Sequence, residues 1–353
     1  MGPGPPPMDC RGDSMDWLPF SKPFWGIDIG ASSVKVVRLS RTRQGVKLLD
    51  IGIKELPPEQ DFRQENIASA LEELIKEKKR PKAVINFSGP APLIRYLTLP
   101  AMPKEELAEA VKWEAKKLVS IPMEEMILDF IIAGGRQERD TKRYDLILVV
   151  AEKSTLREQW AMMQRAGLEI VAIDVNPLSL MNTVRLSYGK ELSGNFIYID
   201  IGAVKTDMTI LKDGVLRFTR RIEVGGEQIT RRLQQEMNLS FEEAEKLKRE
   251  KGLGAEEAAQ TVIKSEMDRF IVEIQRSIDY YRAQFREGVF KKMVLMGGGA
   301  LLPGFSDYFG SYFEADMEID DPLAEIVGTE SAGAIRAIAP RFSSGIGLAL
   351  RSH

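Results

Sequence analysis

The sequence predicts an α/β protein of two similar lobes, with a strand-helix-strand-strand module inserted into the first lobe. Strand-like and helix-like segments alternate along most of the 353 residues, which is typical of α/β folds. A stretch at 27–39 is repeated at 199–211, and both copies begin with Ile-Asp-Ile-Gly-Ala. A repeat at such long spacing predicts two related lobes rather than a solenoid. The segment 89–170 has the pattern of the inserted module.

Composition excludes several kinds of site. Cys10 is the only cysteine and His353 is the only histidine. An internal disulfide, a zinc site of His and Cys ligands and a Ser-His-Asp triad are therefore excluded, and a reducing compartment is expected. The net charge of −3 does not favour nucleic acid as a partner, because nucleic-acid-binding proteins usually have a basic face. No apolar run approaches the roughly 18 residues that span a bilayer, so direct membrane insertion is not expected.

The first lobe is predicted to combine 23–88 with 171–190, around the module at 89–170. Residues 1–22 are rich in Pro, Gly and Asp, and a disordered tail is expected there. Apolar patterns then predict strands at 24–30, 34–39, 47–56 and 83–87 and an amphipathic helix that includes Ile67 and Leu71. In and after the module they predict strands at 93–99, 126–133, 144–151 and 169–175 and helices after Pro103 and at 156–166.

The second lobe is predicted to span 191–353. Its helix at 255–287 has apolar residues three or four positions apart from Ile263 to Phe285. This spacing is compatible with a coiled-coil seam, but a long core helix is the simpler interpretation. The other predicted elements are strands at 195–201, 206–211, 215–222 and 292–296 and helices at 226–237, 240–250, 303–313 and 343–350.

The repeat contains the candidate phosphate and metal residues. Asp28 and Asp200 each end a strand where the chain turns, and a carboxylate there can hold the water shell of Mg²⁺. Gly30 and Gly202 let the backbone approach a ligand closely, and the amides of such a turn can form an anion-binding nest. Lys35 adds a positive charge for a phosphate. Either copy alone is more often an ordinary hairpin turn, but the pair predicts two loops that hold a polyphosphate from both sides.

Two further glycine segments fit the same interpretation. The segment 224–230 precedes a helix whose N-terminus can face an anion, and the segment 296–304 follows an apolar strand. The bare backbone of the second segment can pack against an adenosine. Each segment alone is equally compatible with a plain strand-helix turn. The sequence has no Walker A pattern and no Gly-x-Gly-x-x-Gly after a strand, which indicates a different way of binding phosphate.

These segments together resemble the actin-like ATPase superfamily, whose two-lobed, RNase H-like fold binds ATP and Mg²⁺ between the lobes. Residues 28–35 match its first phosphate loop, 200–207 its second and 297–299 its adenosine motif. Within the superfamily the chain is similar to the cell-division FtsA family and, more closely, to the PilM family of type IV pilus assembly proteins. Both families have an inserted module where actin has a different one. Other segments that support this resemblance are 224–230, 243–248 and 273–281.

The resemblance implies roles for individual residues. Asp28 and Asp200 correspond to residues that hold magnesium through water. The residues that correspond to phosphate contacts are Gly30, Ser32, Ser33, Lys35, Gly202 and Thr206. The residues that correspond to the nucleoside pocket are Gly225, Gly226, Glu245, Lys248, Arg276, Gly298 and Gly299. By spacing alone, Glu245 and Lys248 are equally well interpreted as a surface ion pair.

One segment departs from the superfamily pattern. Relatives often place a Glu before a Pro, or a Gln nearby, to position the attacking water, whereas this chain has Asn176 before Pro177. An amide can hydrogen-bond a water but cannot accept its proton near neutral pH. The glycine-rich stretch of the second loop is also replaced, by Ala203, Val204 and Lys205. We therefore expect tight ATP binding with slow or absent hydrolysis, and we assign no catalytic residue.

The resemblance to PilM implies a cytoplasmic scaffold of the inner-membrane platform that builds the type IV pilus and supports twitching motility. The expected partner is the cytoplasmic N-terminal tail of the inner-membrane protein PilN, bound as an extended peptide in the groove between the first lobe and the module. Other platform proteins and the assembly ATPase are further candidate partners. We do not expect a C-terminal amphipathic anchor of the FtsA kind, so membrane association would be peripheral and through a protein partner.

The sequence leaves three alternatives to this function. A small-molecule kinase or phosphatase of the same superfamily needs an acid or base for its substrate and usually a larger second insertion, for which the sequence shows no space. An FtsA-like, filament-forming cell-division protein is the second alternative. The third is an Hsp70-like chaperone, which needs a substrate domain after the second lobe.

Overall fold

The computed structural model describes residues 23–58, 63–77, 80–119, 122–138, 141–189 and 192–351. The predicted disordered tail lies outside these residues. The first elements are β1 Trp25–Ile29, β2 Ser33–Thr42, β3 Gly45–Glu55, α1 Arg63–Leu74 and β4 Lys82–Asn86.

The inserted module follows β4 and has its own small core. Its elements are β5 Leu93–Pro100, α2 Lys104–Leu118, β6 Met126–Glu138 and β7 Thr141–Glu152. β7 lies between β5 and β6 and pairs antiparallel with both. Because side chains alternate along a strand, Leu146 and Leu148 of β7 pack under α2, whereas Ile147 and Val149 join the core of the first lobe. The module is therefore fixed to the first lobe through one face of its sheet.

The chain then returns to the first lobe. The returning elements are α3 Lys153–Arg165, β8 Glu169–Asp174 and α4 Asn176–Tyr188. β1 pairs antiparallel with β2 and parallel with β4, β2 pairs antiparallel with β3, and β4 pairs parallel with β8. These pairings give the order β3-β2-β1-β4-β8 within the first sheet, which has six strands in all.

The second lobe repeats this arrangement. Its elements are β9 Asn195–Ile201, β10 Thr206–Lys212, β11 Val215–Ile222, α5 Gly226–Met237, α6 Phe241–Lys251, α7 Glu257–Phe285, β12 Lys292–Met296, α8 Phe305–Gly310 and β13 Asp316–Ile319. The sheet order is β11-β10-β9-β12-β13, with the same sequence of antiparallel and parallel pairs as in the first sheet. The predicted fold of two similar lobes with an inserted module is confirmed.

The helix α7 settles an alternative that the sequence left open. Ile263, Phe270, Ile274 and Tyr281 are all buried in the core of the second lobe. The heptad-like spacing therefore reflects a long core helix, as the simpler interpretation predicts.

The end of the described chain crosses back to the first lobe, which differs from the predicted second lobe of 191–353. The last elements are β14 Ile326–Val327 and α9 Ser343–Ala349. β14 pairs with β3, and α9 packs against α4, where a Cβ on Gly347 would lie 1.9 Å from the carbonyl oxygen of Ser179. The second lobe therefore stops before β14, because this segment buries its apolar residues against the first sheet.

The module also contacts the second lobe. Arg217 of β11 donates a hydrogen bond to the Tyr96 hydroxyl of β5, and its guanidinium lies 4.6 Å from the centroid of the Tyr96 ring. The same guanidinium lies 3.8 Å from the carboxylate of Asp145 on β7. We call these three side chains the module contact. It joins the module, which is inserted in the first lobe, to the second lobe.

Candidate functional site

The two copies of the repeat fold into hairpins with the same register. Asp28 lies opposite Lys35 in the first hairpin, and Asp200 lies opposite Asp207 in the second. In the turns, the amide of Gly30 donates to the carbonyl of Ser33 at 2.9 Å and the amide of Gly202 donates to that of Lys205 at 3.0 Å. The repeat therefore positions equivalent residues in equivalent places, but the charges across the two hairpins differ.

The carboxylate of Asp28 is buried and has two strong partners. It accepts hydrogen bonds from the Lys35 ammonium and from the amide of Asn86, both at 2.8 Å. Asn86, at the end of β4, also accepts a hydrogen bond from the backbone amide of Ile29 at 2.8 Å. No motif pointed to Asn86, although a polar residue at the end of an apolar strand is a usable signal. The charge of Lys35 is therefore already balanced within its own hairpin.

Two arginines hold the first loop. Arg63 donates to the carbonyl oxygens of Gly30 and Ala31 at 2.7 and 3.0 Å, and burial lowers its pKa. Arg341 donates to the Ser33 hydroxyl at 3.2 Å and to both carboxylate oxygens of Glu55.

The two candidate phosphate serines therefore differ. The Ser33 side chain is buried and bonded to Arg341, whereas Ser32 stays partly exposed.

The second hairpin has an excess of acid at its cross-strand pair. Asp207 is held by Arg221 through two hydrogen bonds of 2.8 and 3.1 Å. Asp200 receives no hydrogen bond from any described side chain. Burial, followed by the charges of Asp207 and Asp28, raises its pKa to about 7. Asp200 keeps some access to solvent, so a cation or its water shell at this position would relieve the repulsion.

Thr206 differs from its predicted role as a phosphate contact. Its side chain is fully buried, and its hydroxyl donates to the carbonyl oxygen of Val224 at 2.8 Å. The hydroxyl therefore joins β10 to the segment before α5 and does not face the cleft.

The glycines before α5 bring this helix directly against the second loop. A Cβ on Gly225 would lie 2.5 Å from the carbonyl oxygen of Ala203. The amides of Gly226 and Glu227 donate to the carbonyls of Gly202 and Ala203 at 3.0 and 2.7 Å. Contrary to the expectation from sequence, these first amides of the helix are used to support the loop.

The glycine segment after β12 is packed just as tightly. Gly297 has φ of 78°, and a Cβ there would lie 2.5 Å from the carboxylate of Asp200. A Cβ on Gly299 would lie 2.2 Å from the side chain of Ile201. Gly298 has no neighbour that close, the nearest being the Arg341 side chain at 3.8 Å. Gly298 is therefore the position in this segment with room for a ligand.

Glu245 and Lys248 form a partly buried pair on α6 that also reaches α5. The Lys248 ammonium donates to Glu245, to the carbonyl of Gly226 at 3.0 Å and to the hydroxyl of Thr230 at 2.8 Å. Burial lowers the pKa of Lys248. Burial by itself would raise the pKa of Glu245, but the charge and hydrogen bond of Lys248 lower it. The interpretation as a plain surface ion pair is therefore wrong.

Arg276 lies elsewhere. It is bonded to Glu273 on α7 and lines a groove of about 760 Å³ between α5 and α7, together with Gln228 and Arg231. The structure therefore does not place Arg276 in the cluster formed by Glu245 and Lys248.

Asn176 lies between the two hairpins at the start of α4. Its side-chain oxygen accepts a hydrogen bond from the side-chain amide of Asn86 in the first lobe. Its side-chain nitrogen donates to the carboxylate of Asp207 in the second lobe, and both distances are 3.4 Å. The departure noted in the sequence is therefore in the cleft itself.

A magnesium ion with its water shell fits Asp200 better than Asp28. In the described part of the chain, no three His, Cys, Asp or Glu side chains are clustered as a direct metal site. Mg²⁺ often keeps several waters and needs only one or two carboxylates. Asp200 offers an acidic group without a hydrogen-bond donor, whereas both oxygens of Asp28 are already bonded.

Comparison with known proteins supplies the family. The sequence profile described as type IV pilus assembly protein PilM matches residues 26–353. This chain belongs to the PilM family. The resemblance identified from the phosphate loops and the inserted module is confirmed.

Similarity to individual proteins agrees with this family. A solved structure of a PilM-PilN type IV pilus biogenesis complex is 25% identical, with a TM-score of 0.81 over 93% of this chain and 98% of that one. The ethanolamine utilization protein EutJ from Carboxydothermus hydrogenoformans shares the fold, with 16% identity and a TM-score of 0.55 over 95% of this chain and 91% of that one.

The cell division protein FtsA of Bacillus subtilis is 28% identical over 65% of this PilM-family chain. The aligned region is 58% of that protein's length. Within the described residues of the present chain, no helix combines the length and apolar composition needed to cross a bilayer.

Proposed function

We propose that this PilM-family protein binds ATP with Mg²⁺ in its cleft and acts as a cytoplasmic scaffold of the type IV pilus platform. In this role it docks the cytoplasmic N-terminal tail of PilN, which holds it at the inner membrane. The observation that carries the proposal is the similarity to the PilM-PilN complex, which extends over 98% of that chain. Other platform proteins and the assembly ATPase are further partners in this proposal.

The edge strand β6 is the best candidate for the peptide site. The module sheet has the order β5-β7-β6, so the outer edge of β6 pairs with no other strand in the described residues. Ile127 and Ile131 on β6 face the first lobe and are only partly covered, as is Trp160 of α3. An extended peptide can add to such an edge through its backbone and place alternate side chains on an apolar surface.

The test is isothermal titration of the protein with a synthetic peptide of a PilN N-terminal tail, with and without Mg-ATP. Wild-type protein should bind at micromolar Kd, and the Kd should change with nucleotide. Ile131→Asp should weaken binding by at least about 10-fold, because it places a charge on the docking surface. Ile132→Asp is the matched control, since this neighbour points to the opposite face and is 39% exposed.

Thermal melting and ATP binding of both variants check that the fold is intact. If the wild-type protein bound no peptide either with or without Mg-ATP, the pilus proposal would be refuted. If ATP still bound in that case, a kinase or phosphatase of the same superfamily would be the next candidate, and the cleft would be screened for a substrate.

We expect the cleft to bind nucleotide with little turnover. Asn176 is hydrogen-bonded to both lobes near the hairpins, and an amide cannot take a proton from water near neutral pH. We expect purified protein with Mg-ATP to release phosphate at well below about one per second, the lower end of ordinary enzymes. A coupled phosphate-release assay measures this rate. Turnover above about one per second would contradict the conclusion that Asn176 makes hydrolysis slow.

A further inference from the structure

Lys205 occupies a position in the second loop that corresponds to a candidate phosphate residue in the first. Its carbonyl accepts from Gly202 at 3.0 Å, just as the carbonyl of Ser33 accepts from Gly30 at 2.9 Å. Lys205 and Ser33 are therefore equivalent in the two hairpins. At this position the first lobe has a hydroxyl group and the second lobe has a long cationic side chain.

Two neighbouring cations, Lys35 and Arg221, are already paired with carboxylates. Lys35 is bonded to Asp28 at 2.8 Å, and Arg221 is bonded to Asp207 at 2.8 Å. Among the residues that the structure describes, the Lys205 ammonium has neither a hydrogen-bond partner nor an ion-pair partner. The Lys205 ammonium therefore remains available to a ligand.

The Lys205 ammonium interacts electrostatically with acidic residues of both lobes. Asp207 and Glu223 act on it from its own lobe and Asp28 acts on it from the other lobe. Burial, and after it the positive charge of Arg221, lowers the pKa of Lys205. An unpaired, half-buried ammonium is costly, and an anion delivered by a ligand would offset that cost.

We propose that Lys205 binds the terminal phosphates of a nucleoside di- or triphosphate and thereby makes the cleft select nucleotides over nucleosides. This inference rests on the proposed binding of ATP and adds a residue that binds the phosphates. Lys35, which the sequence suggested for that role, instead positions Asp28.

The test is equilibrium binding of ATP, ADP and adenosine to the full chain in the presence of Mg²⁺. Lys205→Gln should weaken ATP and ADP by about 10-fold or more and leave adenosine within about 2-fold, since one charge-assisted contact is lost. Lys205→Arg should keep most of the affinity because the charge remains. Lys212→Gln is the control: it removes a lysine at the far end of β10 that is paired with Glu287.

The outcomes separate this inference from the proposed function. Equal ATP affinity of wild type and Lys205→Gln would overturn the inference and leave nucleotide binding intact. An equal loss of adenosine would also overturn it, because the effect would then be structural. If wild type bound none of the three ligands, nucleotide binding itself would be refuted and the role of Lys205 with it.

Discussion

Replacement of Asp200 by Asn is expected to weaken Mg-nucleotide binding and, at the same time, to stabilise the ligand-free protein. Asp200 is the carboxylate that best fits the water shell of Mg²⁺, and loss of such an outer-shell group typically costs about 10- to 100-fold in affinity. Titration with ATP in Mg²⁺ and in EDTA measures the effect. The loss should appear only with Mg²⁺, and an equal loss in EDTA would contradict the role of Asp200.

The stability gain follows from the pKa of Asp200. Burial and the neighbouring acids raise that pKa from 3.8 to about 7, so the folded protein binds this proton more tightly than the unfolded chain. Ionisation therefore lowers the free energy of unfolding as the pH rises from about 4 to about 7. Since one pKa unit corresponds to about 1.4 kcal/mol, Asp200→Asn should gain up to about 4 kcal/mol above pH 7 and nothing near pH 4. Melting curves of the ligand-free proteins at both pH values test the sign.

Gly347→Ala is expected to be strongly destabilising, because Gly347 has the closest contact among the glycines that the structure describes. A Cβ at Gly347 would lie 1.9 Å from the carbonyl oxygen of Ser179 and 2.9 Å from the hydroxyl of Thr183. Both atoms belong to α4, so α9 would have to move away from it. We expect a loss of about 3 kcal/mol and a melting temperature lower by about 5 °C or more.

Gly254→Ala is the matched control for this prediction. Gly254 has open space around its Cβ position, and its φ is not positive. Its melting temperature should stay near that of wild type, because surface changes of this kind are usually within about 0.5 kcal/mol. Similar melting temperatures for Gly347→Ala and wild type would show that the contact between α4 and α9 yields easily.

The sequence was most informative where the physical signal is local. The identical pentapeptides predicted both hairpins, and the strands around them are confirmed. The apolar spacing in α7 predicted a core helix, because the periodicity of the apolar residues along a helix shows which face is buried. The pairing of β14 with β3 was missed, since a two-residue strand has no periodicity and its partner lies far away in the chain.

The candidate site was predictable only in part, for a related reason. Motif positions indicated Asp28, Asp200 and the glycine turns, but not which charges pair. Lys35 and Thr206 looked like phosphate contacts, and both are engaged within the protein. The partner of Asp28 from β4, Asn86, comes from a strand with no motif of its own. Such pairings depend on how strands meet in space, which single-chain spacing does not reveal.

Through the module contact, the inserted module is attached to both lobes. The module is inserted in the first lobe, yet Arg217 holds it to the second lobe through Tyr96 and Asp145. A change in the angle between the lobes must either carry the module along or break this contact. We therefore expect that a nucleotide which changes this angle also changes the affinity of the proposed peptide site on β6. By thermodynamic reciprocity, the peptide would then alter nucleotide affinity by the same factor.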